Sequence, residues 1–185
     1  MTDISNAIHA LAGHSPIADG LARFAADYLV YFAVLVLAWL YFRQRSVRTF
    51  LVASVAAALA VGSAGVIGLV DYVPRPFVAE HFTPLIQHAS DASFPSDHLA
   101  ALGAICAATW FAAPRLSIAT GVMALAVAVA RVYVGVHWVT DVIAGFGLGV
   151  IWGVFAWYAS GLMSPGIEAF DQRLRRWRVR PNAGG

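Results

Sequence analysis

The stretch Ala130-Arg131-Val132-Tyr133-Val134-Gly135-Val136-His137-Trp138-Val139-Thr140-Asp141 decides how this chain is read. It sets an arginine, a histidine and an aspartate among residues that otherwise belong to membrane-buried helix. Ionisable groups are expensive at that depth, so inside an apolar span they mark function by default. If His137 and Asp141 share a helix, their i, i+4 spacing puts both side chains on one face. A carboxylate one turn from an imidazole holds one ring N–H, fixes the tautomer and makes the other nitrogen more basic. Arg131, from the preceding turn or loop, brings a planar fork suited to phosphate.

The surroundings support a membrane setting. Of 185 residues 60% are hydrophobic and only 12% charged, against roughly 25% charged in an average soluble domain. The apolar segments follow one another with short polar joints, so residues 1–185 read as one membrane-embedded domain. A formal charge of +2 would suggest nucleic acid if the basic residues formed a solvated patch. Here they sit at helix ends, which points to orientation in a membrane and to no nucleic-acid partner. Cys106 stands alone in an apolar run and reads as a small buried hydrophobe. The first dozen residues carry Asp3 and no Lys or Arg, so no cleavable signal peptide is expected.

The fold expected is all-α, a polytopic helical bundle with about five transmembrane helices: 24–42, 49–70, 96–113, 116–133 and 138–163. Residues 1–15 are too short to span and read as an interfacial segment with a short amphipathic helix. Residues 49–70 carry no charge and are long enough to cross ~30 Å of hydrocarbon. Pro74-Arg75-Pro76 stops that helix and presents Arg75 on a stiff extended turn. A polar loop follows, and Pro95-Ser96-Asp97-His98 opens the third span, with proline in the first turn and Ser or Asp as cap. Gly145, Gly149 and Gly153 form a small-residue stripe that lets another helix approach closely. Residues 165–185 read as a basic cytoplasmic tail.

The arginines set the topology. With the tail, Arg43, Arg45, Arg48 and Arg115 inside, only Arg23, Arg75 and Arg131 remain outside. That topology brings the end of span two, the start of three, the end of four and the start of five to one outer face. All three polar clusters fall there. Arg75, Arg131 and the Ser96 helix terminus form a cradle for a tetrahedral anion. Of the two histidines, the one backed by Asp141 is equipped as nucleophile or base, and His98 can serve as acid toward a leaving group. This is equipment for phosphoryl transfer, with no carboxylate cluster suited to a metal and no cofactor implied. His81, His88, Glu80 and Asp91 in the polar loop read first as solvated. His9 and His14 read as interfacial and inert, and Trp138, Tyr133 and Tyr72 as aromatic anchors at the headgroup level.

Arg75-Pro76, Pro95-Ser96-Asp97-His98 and Arg131-x5-His137-x3-Asp141 together resemble the three-part signature of the type 2 phosphatidic acid phosphatase superfamily. The resemblance covers roughly residues 68–141. It implies a helical bundle with its active site at the outer membrane face. It further implies that His137 attacks phosphorus and forms a phosphohistidine, Asp141 orients His137, and His98 protonates the departing oxygen. Arg75, Arg131 and Ser96 would hold the phosphate, with Asp97 a further candidate contact. Two departures stand out: the usual lysine position is Gly68 in a chain with no lysine, and Asp97 replaces a common glycine. Phe-Pro-Ser-Asp-His resembles the bacterial undecaprenyl-diphosphate phosphatases of the bacitracin-resistance type. That implies an inner-membrane enzyme facing the periplasm, removing the terminal phosphate of the carrier lipid for reuse in cell-wall synthesis. Phosphatidylglycerophosphate, phosphatidic acid or lipid A phosphate are the alternative substrates. A transporter using the His–Asp pair as a proton relay is a third reading; it demands polar residues along a whole pathway, and the spans are apolar away from the outer end.

Overall fold

The computed structural model describes residues 2–44 and 47–162, and among these the regular structure is helical, joined by turns and one longer loop. Seven helices follow in order: α1 (Thr2–His9), α2 (Pro16–Gln44), α3 (Val47–Val70), α4 (Pro76–Ala79), α5 (Asp97–Trp110), α6 (Pro114–Tyr133) and α7 (Val139–Leu162). Pro16, Pro76 and Pro114 each open a helix, where the missing N–H costs nothing and the fixed φ suits the first turn.

Four of the described helices are long and apolar enough to cross a membrane, namely Pro16–Trp39, Arg48–Val70, Pro114–Tyr133 and Val139–Leu162. The expected third span, 96–113, is shorter than predicted. Helix α5 has 14 residues, about 21 Å at 1.5 Å per residue, short of the ~30 Å of a hydrocarbon core. The chain turns at Phe111 and Ala112 before Pro114 starts α6. The first span begins at Pro16 rather than residue 24, because its polar opening turns continue the same helix. The basic tail, 165–185, lies outside the described residues.

Helix α5 is the centre. It packs against α7, α3 and α6, and buries Leu99, Leu102, Ile105, Ala100, Ala104 and Ala108. A helix apolar all round belongs in an interior. It runs antiparallel to α6, since Cys106 meets Ser117 while His98 meets Arg131. The outer helices turn large apolar side chains away from the protein: Phe24, Tyr28, Phe32 and Trp39 on α2, Leu69 on α3 and Ile151 on α7 are all exposed. Such faces are unfavourable in water and neutral in lipid.

The glycine stripe does what its spacing predicts. A Cβ on Gly145 would stand 2.3 Å from the Ser96 carbonyl oxygen, on Gly149 2.1 Å from that of Ala100, and on Gly153 2.6 Å from that of Ala104. Helices α7 and α5 therefore touch backbone to backbone, and this contact fixes the start of α5 against the start of α7.

Helix α1 packs over the turn between α6 and α7. The Val139 N–H donates to Ser5 Oγ at 3.0 Å, and Asn6 donates to Glu80 at 2.9 Å. His9, expected to be inert, donates from Nδ1 to the Tyr133 carbonyl at 2.9 Å and stacks on Phe82, ring centroids 4.2 Å apart.

Candidate active site

The α6–α7 turn carries the histidine. Gly135 adopts φ +84°, in the left-handed region that favours glycine, and a Cβ there would also strike Phe82 at 2.6 Å. The turn folds back so that the Val136 and His137 N–H groups both point to the Arg131 carbonyl. His137 thus precedes α7 rather than lying on it, and Asp141 sits in the first turn of that helix. The i, i+4 pair meets through this turn instead of along one helical face. Asp141 Oδ2 stands 3.4 Å from His137 Nδ1 and accepts the Trp138 N–H at 2.8 Å. Ser93 Oγ donates to the same oxygen and lies 3.5 Å from His137 Nδ1.

A carboxylate only accepts, so Nδ1 of His137 carries the proton and Nε2 presents a lone pair. That nitrogen faces two buried guanidiniums, 3.3 Å from Arg75 Nη1 and 3.3 Å from Arg131 Nη2. Burial first, and then the positive charges of Arg131 and Arg75, push the His137 imidazole below its ordinary value, against the pull of Asp141. The ring is therefore neutral near pH 7, with the Nε2 lone pair available to attack or to take a proton.

Each arginine is held by backbone carbonyls. Arg75 sits on an extended turn and donates to Val136 at 3.0 Å, Ala92 at 3.2 Å and Asp91 Oδ1 at 2.8 Å. Arg131, in the last turn of α6, donates to Ala26 at 3.2 Å. Its Nη1 also lies 3.3 Å from His98 Nε2, and its Nη2 lies 3.0 Å from His88 Nε2. Three imidazoles thus surround one guanidinium. Among the described residues, Arg131 Nε and Ser96 Oγ are the buried side-chain polar atoms without a partner. Both can donate a hydrogen bond.

The structure brings together His137, Asp141, His98, Arg75, Arg131 and Ser96. Asp97 departs from its expected role, because its carboxylate faces His98 at 2.8 Å rather than offering a donor to phosphate. The loop supplies more than the sequence suggests. His88 and Asp91 touch the two arginines, and half-burial with the neighbouring Arg75 charge pushes His88 below its ordinary value. Ser93, fully buried, gave no signal, since a small polar residue in a polar loop has no distinguishing pattern. Glu80 and His81 stay outside the cluster: Glu80 pins α1 and His81 takes a positive φ. Tyr72 lines the same cleft as Arg75 and His137, its hydroxyl donating to the Ser90 carbonyl. Trp138 Nε1 donates to the Pro74 carbonyl at 3.0 Å, tying the His137 turn to the Arg75 turn. At Gly68 a Cβ would meet the Ala92 side chain at 3.0 Å, a tight contact with the loop.

A cleft of about 390 Å³ opens beside these groups. Arg75, Asp97 and His137 line its polar end, and Ala64, Gly65 and Leu69 of α3 line an apolar wall. An anionic head with an apolar tail matches both ends.

Comparison with known proteins agrees with this geometry. The PAP2 superfamily profile matches residues 53–162. The chain is 33% identical to undecaprenyl-diphosphatase BcrC of Bacillus subtilis, covering 90% of this chain and 87% of that protein. It is 34% identical to the putative undecaprenyl-diphosphatase YbjG of Escherichia coli, covering 92% and 86%. The crystal structure of a transmembrane PAP2-type phosphatidylglycerolphosphate phosphatase from Bacillus subtilis superposes with TM-score 0.62 at 25% identity, over 96% of this chain and 86% of that one. The chain belongs to the PAP2 superfamily and is a membrane lipid phosphatase.

Proposed function

We propose that this phosphatase removes the terminal phosphate of undecaprenyl diphosphate through a phosphohistidine on His137, at a site facing the outside of the bacterial cytoplasmic membrane. The observation that carries the mechanism is the placement of His137 Nε2 3.3 Å from both Arg75 and Arg131. These N–H groups rest on the nucleophile's own lone pair. An arriving phosphate takes them over with its oxygens, which frees Nε2 and sets it against phosphorus.

The Nε2–P bond forms as the bond from phosphorus to the bridging oxygen breaks. His98 gives its Nε2 proton to that oxygen, and undecaprenyl phosphate leaves. Water then attacks the phosphohistidine, returns its proton to His98, and breaks the P–N bond to release inorganic phosphate. Arg75, Arg131 and Ser96 donate to the oxygens that gather charge in both transition states. Asp141, held by Ser93 and Trp138, keeps the His137 tautomer fixed. The substrate choice rests on likeness to undecaprenyl-diphosphatases over most of the chain. Outward placement of the site follows from the arginine distribution.

Phosphatidylglycerophosphate is the second reading, favoured by the likeness to the solved phosphatase for that lipid. The test is phosphate release by detergent-purified protein from undecaprenyl diphosphate, phosphatidylglycerophosphate and phosphatidic acid. Preference for the diphosphate is expected, and preference for a phosphoglyceride would replace the substrate. His137→Ala should abolish turnover in folded protein. A folded variant with substantial activity would remove His137 from its role.

A further inference from the structure

The site holds a second carboxylate–imidazole pair. Asp97 is the first residue of α5, and its Oδ1 accepts the His98 backbone N–H at 2.8 Å and stands 2.8 Å from His98 Nδ1. Since the carboxylate only accepts, Nδ1 is the protonated ring nitrogen and Nε2 is left for chemistry. Arg131 Nη1 lies 3.3 Å from Nε2. To act as the acid the ring carries a proton on Nε2 as well as on Nδ1, and a substrate oxygen replaces the ring as the acceptor for Arg131. The same Asp97 oxygen therefore holds both the backbone N–H and the ring of His98.

Asp97 also lines the phosphate end of the cleft, and its side chain is about half exposed. A carboxylate there repels an incoming anion, so direct substrate binding does not explain it. Asp141 is buried, held by three donors and spent on the nucleophile. Asp97 is open to the cleft and spent on the other histidine.

We propose that Asp97 is a positioning residue for His98: it holds Nδ1–H and aims Nε2 at the leaving oxygen. This rests on the phosphatase reading with His98 as acid. Nothing is transferred to Asp97. The proton that leaves Nε2 in the first half-reaction returns to Nε2 from water in the second, while Nδ1–H stays on the carboxylate.

The test uses the full chain in detergent, with Asp97→Asn, Asp97→Ser, His98→Ala and the two Asp97 changes combined with His98→Ala. Asparagine keeps the size of the side chain but loses the charge that holds Nδ1–H of the doubly protonated ring. Serine can still cap the His98 N–H yet leaves the ring unheld, so it separates helix capping from ring alignment. Both single variants should lose kcat roughly ten- to a hundredfold, a share of the ~10²–10⁴ that a general acid contributes, with KM nearly unchanged. In the His98→Ala background neither change should cost anything further. Full kcat in folded Asp97→Ser would reduce Asp97 to a helix cap and overturn the proposal. A loss residing in KM, or one that adds to that of His98→Ala, would overturn it as well. Wild-type turnover by His98→Ala would instead remove the acid assignment beneath it.

Discussion

Replacing Gly149 with alanine separates this architecture from a loosely packed bundle. The new Cβ would lie 2.1 Å from the Ala100 carbonyl oxygen and 2.6 Å from the Ala104 nitrogen. Both are backbone atoms and cannot rotate aside. Restoring an ordinary contact near ~3.5 Å requires α5 and α7 to part by more than ~1 Å. In lipid, helices are held by such close packing, with little hydrophobic drive to compensate. An overpacking cost of about 1–3 kcal/mol follows. The same displacement pulls the Ser96 N–H from the Asp141 carbonyl, now 3.0 Å away, and so separates the His98 end of the site from the His137 end. A misplacement of ~1 Å costs on the order of 10² in rate. Thermal unfolding and kcat in detergent read both effects. Gly147→Ala on the same helix is the control, because its Cβ meets nothing within 4 Å and alanine is the better helix former by about 1 kcal/mol. Equal unfolding temperature and turnover for the two variants would refute the backbone-contact account.

Two further outcomes follow from the buried histidine and its supports. Burial and the two arginines keep His137 below its ordinary value of 6.5, so the neutral nucleophile persists as pH falls through 6.5. The acid limb of kcat/KM should therefore lie below pH 6.5; a limb at or above that value would contradict a neutral, buried His137. The stability sign agrees: the unfolded chain takes up the proton first, so this group weakens the fold only as pH drops from 6.5 toward the folded value. Ser93→Ala removes a hydroxyl that donates to Asp141 beside His137 Nδ1. A hydrogen bond to a charged group contributes about 1.5–3 kcal/mol, so kcat should fall by roughly tenfold or more with KM held. Unchanged kcat would reduce Ser93 to space filling.

The spans were legible because apolar runs are long and prolines punctuate them. Their limits were less so. Phe111, Ala112 and Ala113 are as apolar as the helix before them, and nothing local distinguishes a turn from another half-turn of α5. Asp19, Arg23 and Asp27 put the start of the expected span at residue 24, although the helix that carries it opens at Pro16. The glycine stripe was legible in both position and purpose, because the absence of a side chain has one structural use at four-residue spacing.

The proposed reacting groups stand out in the sequence for an energetic reason, and their supports do not for the same reason. Arg75, His98, Arg131, His137 and Asp141 stand out because a charge among apolar residues needs a cause. Ser93, His88 and Asp91 lie in a polar loop where charge and hydroxyl groups need none. Yet the loop completes the site: Asp91 and the Ala92 carbonyl aim Arg75, His88 meets Arg131, and Ser93 locks Asp141. Much of the remaining alignment comes from carbonyls of Ala26 and Val136, whose acceptors every residue carries and no sequence pattern marks. Both guanidiniums are therefore aimed by groups of the protein itself. That is the preorganisation that electrostatic catalysis requires, and it resides in the loop and the backbone rather than in the motif residues themselves.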